Sequence, residues 1–171
     1  SDFIEDRIFN VSSIAITNLI FAIILFVVFL NRKENLSIFE ISLKAAILIG
    51  FFQCFALIPG ASRSGMAITG ALLIGLNLKD ASKFTFLLSI PTIAGALIFL
   101  LVDFNQISFD YLNVLIGFVV SMIVAFFTIK YFLAFVERIG MVPFVMYRVI
   151  LGLMLLICLL YTSPSPRDVS T

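Results

Sequence analysis

Four stretches of this sequence are long and apolar enough to cross a membrane as helices, and they limit the fold more than any other feature. A helix needs about 20 apolar residues to span the hydrocarbon core of a bilayer. The stretches cover residues 11–30, 84–102, 111–131 and 141–161. Hydrophobic residues make up 62% of the chain and charged residues only 12%, which excludes an ordinary water-soluble domain. The sequence therefore predicts an all-α integral membrane protein, a helical bundle with several spans.

The segment at 40–78, between the first two spans, has a different pattern. Residues 40–58 are apolar, a motif at 59–65 interrupts the helix with proline and glycine, and a second helix is predicted over 66–78. That helix would be about 20 Å long, too short to cross a core of about 30 Å. We therefore predict one re-entrant helix hairpin at 40–78, which enters and leaves the membrane on the same side.

The positions of the basic residues give an independent test of this topology. With a re-entrant hairpin, the Lys and Arg of the short loops fall on one side, whereas the opposite connection at 103–110 contains two aspartates and no basic residue. The residues on the basic side are Arg32, Lys33, Lys44, Lys79, Lys83, Lys130 and Arg138. Because short cytoplasmic loops are enriched in Lys and Arg, we predict that the basic loops face the cytoplasm.

A polar motif interrupts the hairpin, and it reads Pro59-Gly60-Ala61-Ser62-Arg63-Ser64-Gly65. An arginine inside the bilayer costs roughly 2.5–3.5 kcal/mol on insertion scales, so Arg63 is expected to face an anion in a cavity. The break is predicted to leave the amides around 62–66 unpaired, and such amides at a helix N-terminus attract anions. Arg63 can grip two phosphate oxygens, while Ser62, Ser64 and the more distant Thr69 can donate further hydrogen bonds. The motif therefore predicts a site for phosphate or pyrophosphate.

The motif is also compatible with a purely structural role and with transport. A break with two serines can kink a membrane helix, and an arginine near it can snorkel to the interface, although a kink needs neither the arginine nor both glycines. A transporter or lipid-carrier flippase also binds anions with hairpins and helix ends. The acid-phosphatase superfamily is excluded, because the histidine that its spacing requires is replaced by Thr69. No basic run suggests a nucleic-acid partner.

Three stretches of the sequence can be compared with known families. They are Gln53-Cys54-Phe55-Ala56-Leu57-Ile58 with the PGASRSG motif and Thr69, then the run from Ser82 to Pro91, and then Pro143-Phe144 with Tyr147-Arg148. Together they resemble the undecaprenyl-pyrophosphate phosphatase, or bacitracin-resistance, family, over most of residues 1–160. The resemblance implies a multi-pass hydrolase of the bacterial inner membrane that converts undecaprenyl pyrophosphate to undecaprenyl phosphate and phosphate. That activity recycles the lipid carrier for peptidoglycan synthesis and confers bacitracin resistance. It also implies an inverted-repeat fold, of which this chain is the second half.

The resemblance implies a role for each motif residue. Arg63 and Ser62 would be catalytic, with Arg63 clamping the pyrophosphate. The phosphate-binding residues would be Gly60, Ala61, Ser64, Gly65 and Thr69. Gln53 and Arg148 are candidates for supporting the site. The structural alternatives are an interhelical hydrogen bond for Gln53, which is favoured, and a snorkelling side chain for Arg148.

The family's earlier signature, rich in glutamates and serines and ending in a histidine, does not occur here, and the chain has no histidine. The resemblance implies a divalent cation, Mg²⁺ or Ca²⁺, whose ligands would lie in the missing N-terminal half, with no metal ligand in this chain. We therefore expect residues 1–161 to form a membrane-domain fragment that is inactive alone, and 162–171 to be a disordered or non-native tail. Polyprenyl pyrophosphate and membrane lipid are the implied partners, nucleic acid is not, and a homo-oligomer is left open.

Overall fold

The computed structural model describes residues 11–102 and 111–162, and this part of the chain is entirely helical apart from turns and one isolated β-bridge. The predictions for the connection at 103–110 and for the tail beyond Thr162 lie outside the described residues. The helices are α1 (Val11–Leu30), α2 (Leu43–Cys54), α3 (Arg63–Ile74), α4 (Leu78–Val102), α5 (Tyr111–Ile139) and α6 (Val142–Thr162). Short 3-10 turns at Ile38–Glu40 and Phe55–Leu57 precede and follow α2.

Four of these helices, α1, α4, α5 and α6, are long and apolar enough to cross a membrane, which confirms the predicted class of helical membrane protein. The bounds of two spans differ from the prediction: α4 begins at Leu78 rather than near residue 84, and α5 extends to Ile139 rather than ending near residue 131. Asn77 stabilises this earlier start, since its side-chain oxygen accepts the Asp80 N–H at 2.9 Å. Polar residues fill the first turns of α4, so hydropathy alone starts the helix too late.

The two helices of the predicted hairpin, α2 and α3, have twelve residues each. At 1.5 Å per residue each is about 18 Å long, shorter than a bilayer core. Leu36, before the hairpin, pairs with the chain just after it: its N–H donates to Gly75 O at 2.9 Å, and its oxygen accepts the Asn77 N–H at 3.1 Å. The segment therefore starts and ends at the same place, as a re-entrant hairpin requires, while its position in the membrane stays a prediction.

The predicted helix at 66–78 is displaced in the structure, where α3 begins at Arg63 and ends at Ile74. The helix starts earlier because Ser62 caps it, its Oγ accepting the Gly65 N–H at 3.3 Å. It ends earlier because Gly75 adopts a left-handed conformation with φ of 102°. Both ends are thus set by residues that the hydrophobic pattern does not register.

Helix α3 lies at the centre of the bundle, in contact with α1, α2 and α4, while α1 also packs along α6. All residues from Gly65 to Leu72 are buried. The small residues Ala67 and Ala71, four positions apart, belong to this core, where small side chains let helices approach closely. Gly117 on α5 makes no such close approach within the described residues, because a Cβ there would meet nothing within 4 Å.

Several basic residues gather near the ends of the hairpin. Arg32 and Lys33 line a cavity together with Gly75, where the hairpin ends. Lys79, at the start of α4, forms an ion pair with Glu137, near the end of α5, at 2.6 Å. The structure thus brings these cations to one end of the bundle, as the charge argument requires, and the side of the membrane that this end faces stays a prediction.

Candidate functional site

The turn at 59–65 connects the two hairpin helices through an unusual backbone. Gly60 has φ of 91°, and Ser62 has φ of 68°, a left-handed value that side chains rarely adopt. Such a residue costs about 1–3 kcal/mol and persists only where its surroundings fix it. The main chain of α1 lies directly against the turn, so that a Cβ on Gly60 would overlap the Ile14 oxygen. The turn is therefore held in one conformation by the helix beside it.

The first turn of α3 presents two amides to this break. The predicted set of unpaired amides at 62–66 is smaller in the structure, because the Gly65 N–H bonds to Ser62 Oγ and the Met66 N–H bonds to Ser62 O at 3.0 Å. By helix geometry, the amides of Arg63 and Ser64 have no carbonyl of their own helix to bond. These amides and the helix dipole leave a partial positive charge at the N-terminus of α3.

Arg63 extends to one side of the turn, where its side chain is exposed. It lines a cavity of about 440 Å³ between α2 and α4, which is mainly apolar. Gln53 also lines this cavity and is buried, with its Nε2 3.4 Å from Thr92 Oγ1 on α4. This contact is the interhelical hydrogen bond that the sequence favoured for Gln53. Its Oε1 is buried and has no hydrogen-bond partner among the described residues.

Arg148 reaches the other side of the same turn from α6. Its side chain is 3% exposed, so it does not snorkel to an interface. Its Nη2 donates to the main-chain oxygens of Gly60 at 2.9 Å and Ala61 at 3.2 Å. These contacts are those expected of a residue that braces the hairpin.

A cavity of about 420 Å³ opens beside Arg148, and its lining includes Gly60, Ser62 and Ser64. Arg148 Nη1 is buried without a hydrogen-bond partner among the described residues, and a Cβ on Gly65 would lie only 2.9 Å from it. The Ser62 and Ser64 hydroxyls lie 3.5 Å apart at the same helix end. Among the described residues, the Arg63 cavity and the Arg148 cavity share no lining residue, so the two guanidinium groups belong to two separate cavities next to the turn. The structure brings Arg148 together with Gly60, Ser62 and Ser64, whereas Arg63 lines the other cavity.

Two other predicted site residues, Ala61 and Thr69, are buried in the structure and line neither of the two cavities. Ala61 is fully buried, and its oxygen is taken by Arg148. Thr69 is also buried and donates its hydroxyl hydrogen to Gly65 O, one turn earlier in α3, at 2.7 Å. Neither residue lines the cavity of Arg63 or the cavity of Arg148. The roles proposed for both from the resemblance thus find no direct geometric support, and they stay predictions.

Sequence reasoning missed Asn18, the polar residue of α1 that contacts Arg148. Its Oδ1 accepts from Arg148 Nε at 2.8 Å, and its Nδ2 donates to the main-chain oxygen of Arg148 at 2.8 Å. The signal that could have found it was an asparagine in the middle of an apolar span, because buried polar groups in membrane helices generally have partners.

The part of the chain that the structure describes does not fit a divalent cation. Within residues 11–102 and 111–162, no three side chains of the types His, Cys, Asp or Glu lie close enough together to hold a metal ion. The groups that converge on the turn are N–H donors and guanidinium groups, which repel a cation and attract an anion. The donor set at this turn therefore suits an anion, and the expected divalent cation stays a proposal about residues outside this chain.

These features define a class: a multi-pass helical membrane protein with a broken hairpin whose second helix presents an anion-attracting end. Comparison with known proteins identifies the family. Residues 1–154 match the family described as bacitracin resistance protein BacA, and the chain belongs to that family.

Curated relatives carry the name undecaprenyl-diphosphatase. One from Alcanivorax borkumensis is 43% identical over 157 residues, and one from Teredinibacter turnerae is 42% identical over 158 residues. Each alignment covers 91% of this chain but only 59% and 60%, respectively, of the relative. The chain therefore spans about three fifths of the length of these curated relatives.

Proposed function

We propose that the protein to which this chain belongs hydrolyses undecaprenyl pyrophosphate to undecaprenyl phosphate and inorganic phosphate. The observation that carries the proposal is the position of Arg63 and Arg148 in two separate cavities next to the turn that precedes α3. The family membership and the names of the two relatives support the same activity. Bacitracin resistance and the supply of carrier lipid for peptidoglycan synthesis would follow from it.

The proposed chemistry assigns the chain's own groups to charge stabilisation. The bond from the bridging oxygen to one phosphorus breaks as a new P–O bond to the water oxygen forms at that phosphorus. The leaving phosphate takes the bridging oxygen with its negative charge, and the proton lost by the water passes to solvent. Such phosphoryl transfer depends mainly on positioning and on donors that meet the developing charge. Arg63 can bind two oxygens of the pyrophosphate, and the Arg63 and Ser64 amides can bind a third. We assign Ser62 to shaping the helix end, because its Oγ already caps Gly65.

We also propose a substrate class, a location and an orientation for the protein. The substrate is a polyprenyl pyrophosphate, the location is the bacterial inner membrane, and the basic loops face the cytoplasm. The apolar lining of the Arg63 cavity supports a lipid substrate, since an isoprenoid chain can pack there. The divalent cation and the residue that activates water or attacks phosphorus are assigned to the N-terminal part. Homo-oligomer formation stays an open proposal.

The test is phosphate release from undecaprenyl pyrophosphate in detergent with Mg²⁺, by this chain joined to the N-terminal part of a relative. We expect Arg63→Ala to lower the rate at least a hundredfold, because a charged pair with phosphate is lost. Arg138→Ala is the matched control, since Arg138 is an exposed arginine that lines neither cavity of the site.

Release that is absent from a well-folded joined protein, or that is indifferent to Arg63, would sink the proposal. The flippase alternative would then be measured directly, as movement of the intact pyrophosphate lipid across vesicles that contain the joined protein. Because detergent offers no second leaflet, release in detergent cannot arise from transport.

A further inference from the structure

Asn18 lies in the middle of the apolar helix α1 and is 7% exposed. Among residues 11–102 and 111–162, its carboxamide makes two side-chain hydrogen bonds, and both go to Arg148: Oδ1 accepts from Nε, and Nδ2 donates to the main-chain oxygen, each at 2.8 Å. The Asn18 main-chain oxygen also lies 3.3 Å from Arg148 Nη2. A polar group in a membrane span is costly, so a side chain whose oxygen and nitrogen both bond the same partner indicates a specific role.

These bonds determine where the remaining nitrogen of Arg148 lies. A guanidinium is planar, so fixing Nε and Nη2 also fixes Nη1. Nε is held by Asn18, and Nη2 is held by the oxygens of Gly60 and Ala61. Nη1 is then left buried, without a partner among the described residues, beside Gly65 in the first turn of α3. An unconstrained side chain would turn to satisfy such a buried donor.

We propose that Asn18 is a positioning residue, which holds Arg148 so that Nη1 points at a phosphate bound to the N-terminus of α3. The proposal rests on the proposed function and adds to it, because it links a residue of the first span to the anion site. Asn18 touches neither the phosphate nor the reacting atoms. It acts through Arg148, and its removal frees the guanidinium to rotate toward other acceptors.

A purely structural role for the same contacts predicts a loss of stability without a loss of activity. Asn18 and Arg148 also connect α1 to α6, and such an interhelical contact alone would contribute only to stability. Leu25→Ala provides the matched comparison, because Leu25 is a fully buried core residue of α1 that lines neither cavity of the site. Its truncation lowers stability through a packing defect and leaves Arg148 in place.

The experiment compares Asn18→Leu, Leu25→Ala and the parent, all as this chain joined to the N-terminal part of a relative. Two quantities are measured: kcat/KM for undecaprenyl pyrophosphate, and the rise in Tm that inorganic pyrophosphate produces. We expect Asn18→Leu to lower kcat/KM at least tenfold and to abolish the rise in Tm. Leu25→Ala should lower the baseline Tm and keep both kcat/KM and the rise. In an Arg148→Lys background, adding Asn18→Leu should change kcat/KM less than twofold.

An Asn18→Leu protein that loses stability but keeps kcat/KM and the pyrophosphate response would overturn the proposal. The proposal would also be overturned if Asn18→Leu lowered kcat/KM by the same factor in the Arg148→Lys background as in the parent, because the two residues would then act independently. If Asn18→Leu fails to fold, Asn18→Ala removes the same two bonds with a smaller side chain and is judged by the same outcomes. A parent that releases no phosphate contradicts the proposed function alone. The pyrophosphate-induced rise in Tm still decides the role of Asn18 in that case.

Discussion

At the scale of single residues, the site depends on a turn whose conformation glycine and one strained serine make possible. Ser62 adopts a left-handed φ and uses its hydroxyl to cap α3, so it shapes the helix end at the cost of backbone strain. Gly60 allows α1 to approach the turn closely. Arg148 then donates to two main-chain oxygens of the turn, those of Gly60 and Ala61. The strain is therefore offset by contacts from two other helices.

We predict that Gly60→Ala destabilises the protein by about 2 kcal/mol or more. The new Cβ would overlap the Ile14 oxygen, and alanine at φ of 91° is strained in its own backbone. The measurement is the Tm of the joined protein in detergent. Gly95→Ala is the control, because a Cβ at that helical position meets nothing within 4 Å. Equal Tm values for the two variants would contradict the close packing of α1 on the turn.

At the scale of helices, the two short helices of the hairpin are held together by a close approach. Gly70 of α3 packs on Phe52 of α2, where an added Cβ would lie 2.8 Å from the Phe52 Cβ. The Phe52 Cβ is bonded directly to the main chain, so the overlap can be removed only if α2 itself moves. Small residues at such contacts let membrane helices approach closely. The position of the α3 N-terminus thus depends on an interface more than a turn away.

Gly70→Ala is accordingly expected to separate α2 from α3, to lower the Tm by several degrees and to reduce phosphate release. Gly50→Ala serves as the matched control for stability on the same hairpin, because its Cβ would meet nothing within 4 Å. Thermal unfolding would be measured on both variants, and phosphate release would be measured on Gly70→Ala against the parent. A Gly70→Ala protein as stable as Gly50→Ala would show that the hairpin tolerates a wider separation.

The sequence predicted the long helices well, since the span at 11–30 matches α1, Val11–Leu30. Hydropathy identifies these helices because the hydrocarbon core of the bilayer requires apolar residues along the whole span. It failed at helix ends, where single polar residues decide: Ser62 and Asn77 start α3 and α4 earlier than expected. The pairing of Arg148 with Asn18 could not be predicted, because the two residues are 130 positions apart. Contacts of that kind depend on how helices assemble, and local sequence does not encode them.

At the scale of the whole molecule, the bundle has one well-packed side and one open side. Helices α1, α2, α3, α4 and α6 surround the two cavities of the site, whereas the most apolar part of α5 has no residue buried within the described part of the chain. The chain covers about 60% of the length of its relatives. An apolar helix in this position faces lipid or the remaining part of the protein. Among residues 11–102 and 111–162, the linings of the two cavities at the turn contain donors for phosphate and no carboxylate.

We predict that this chain alone releases phosphate at no more than about 1% of the rate of the joined protein, because the charge-stabilising groups without an activated nucleophile bind substrate and barely turn it over. Phosphate release by the two proteins in the same detergent and Mg²⁺ measures the ratio. Circular dichroism would verify that the isolated chain is helical. Comparable rates would show that the chain contains a complete active site.

The central claim is that the turn at 59–65 binds the phosphate groups of the substrate. Its most direct measurement is the reaction of a Ser64→Cys protein, with Cys54 and Cys158 replaced by serine, with a charged thiol reagent. Ser64 lines the cavity beside Arg148, whereas Asn35 is exposed in the connection before the hairpin and serves as the second labelling position, Asn35→Cys. We expect pyrophosphate to slow the reaction at position 64 at least fivefold and to leave position 35 unchanged. Equal rates at position 64 with and without pyrophosphate would contradict the account.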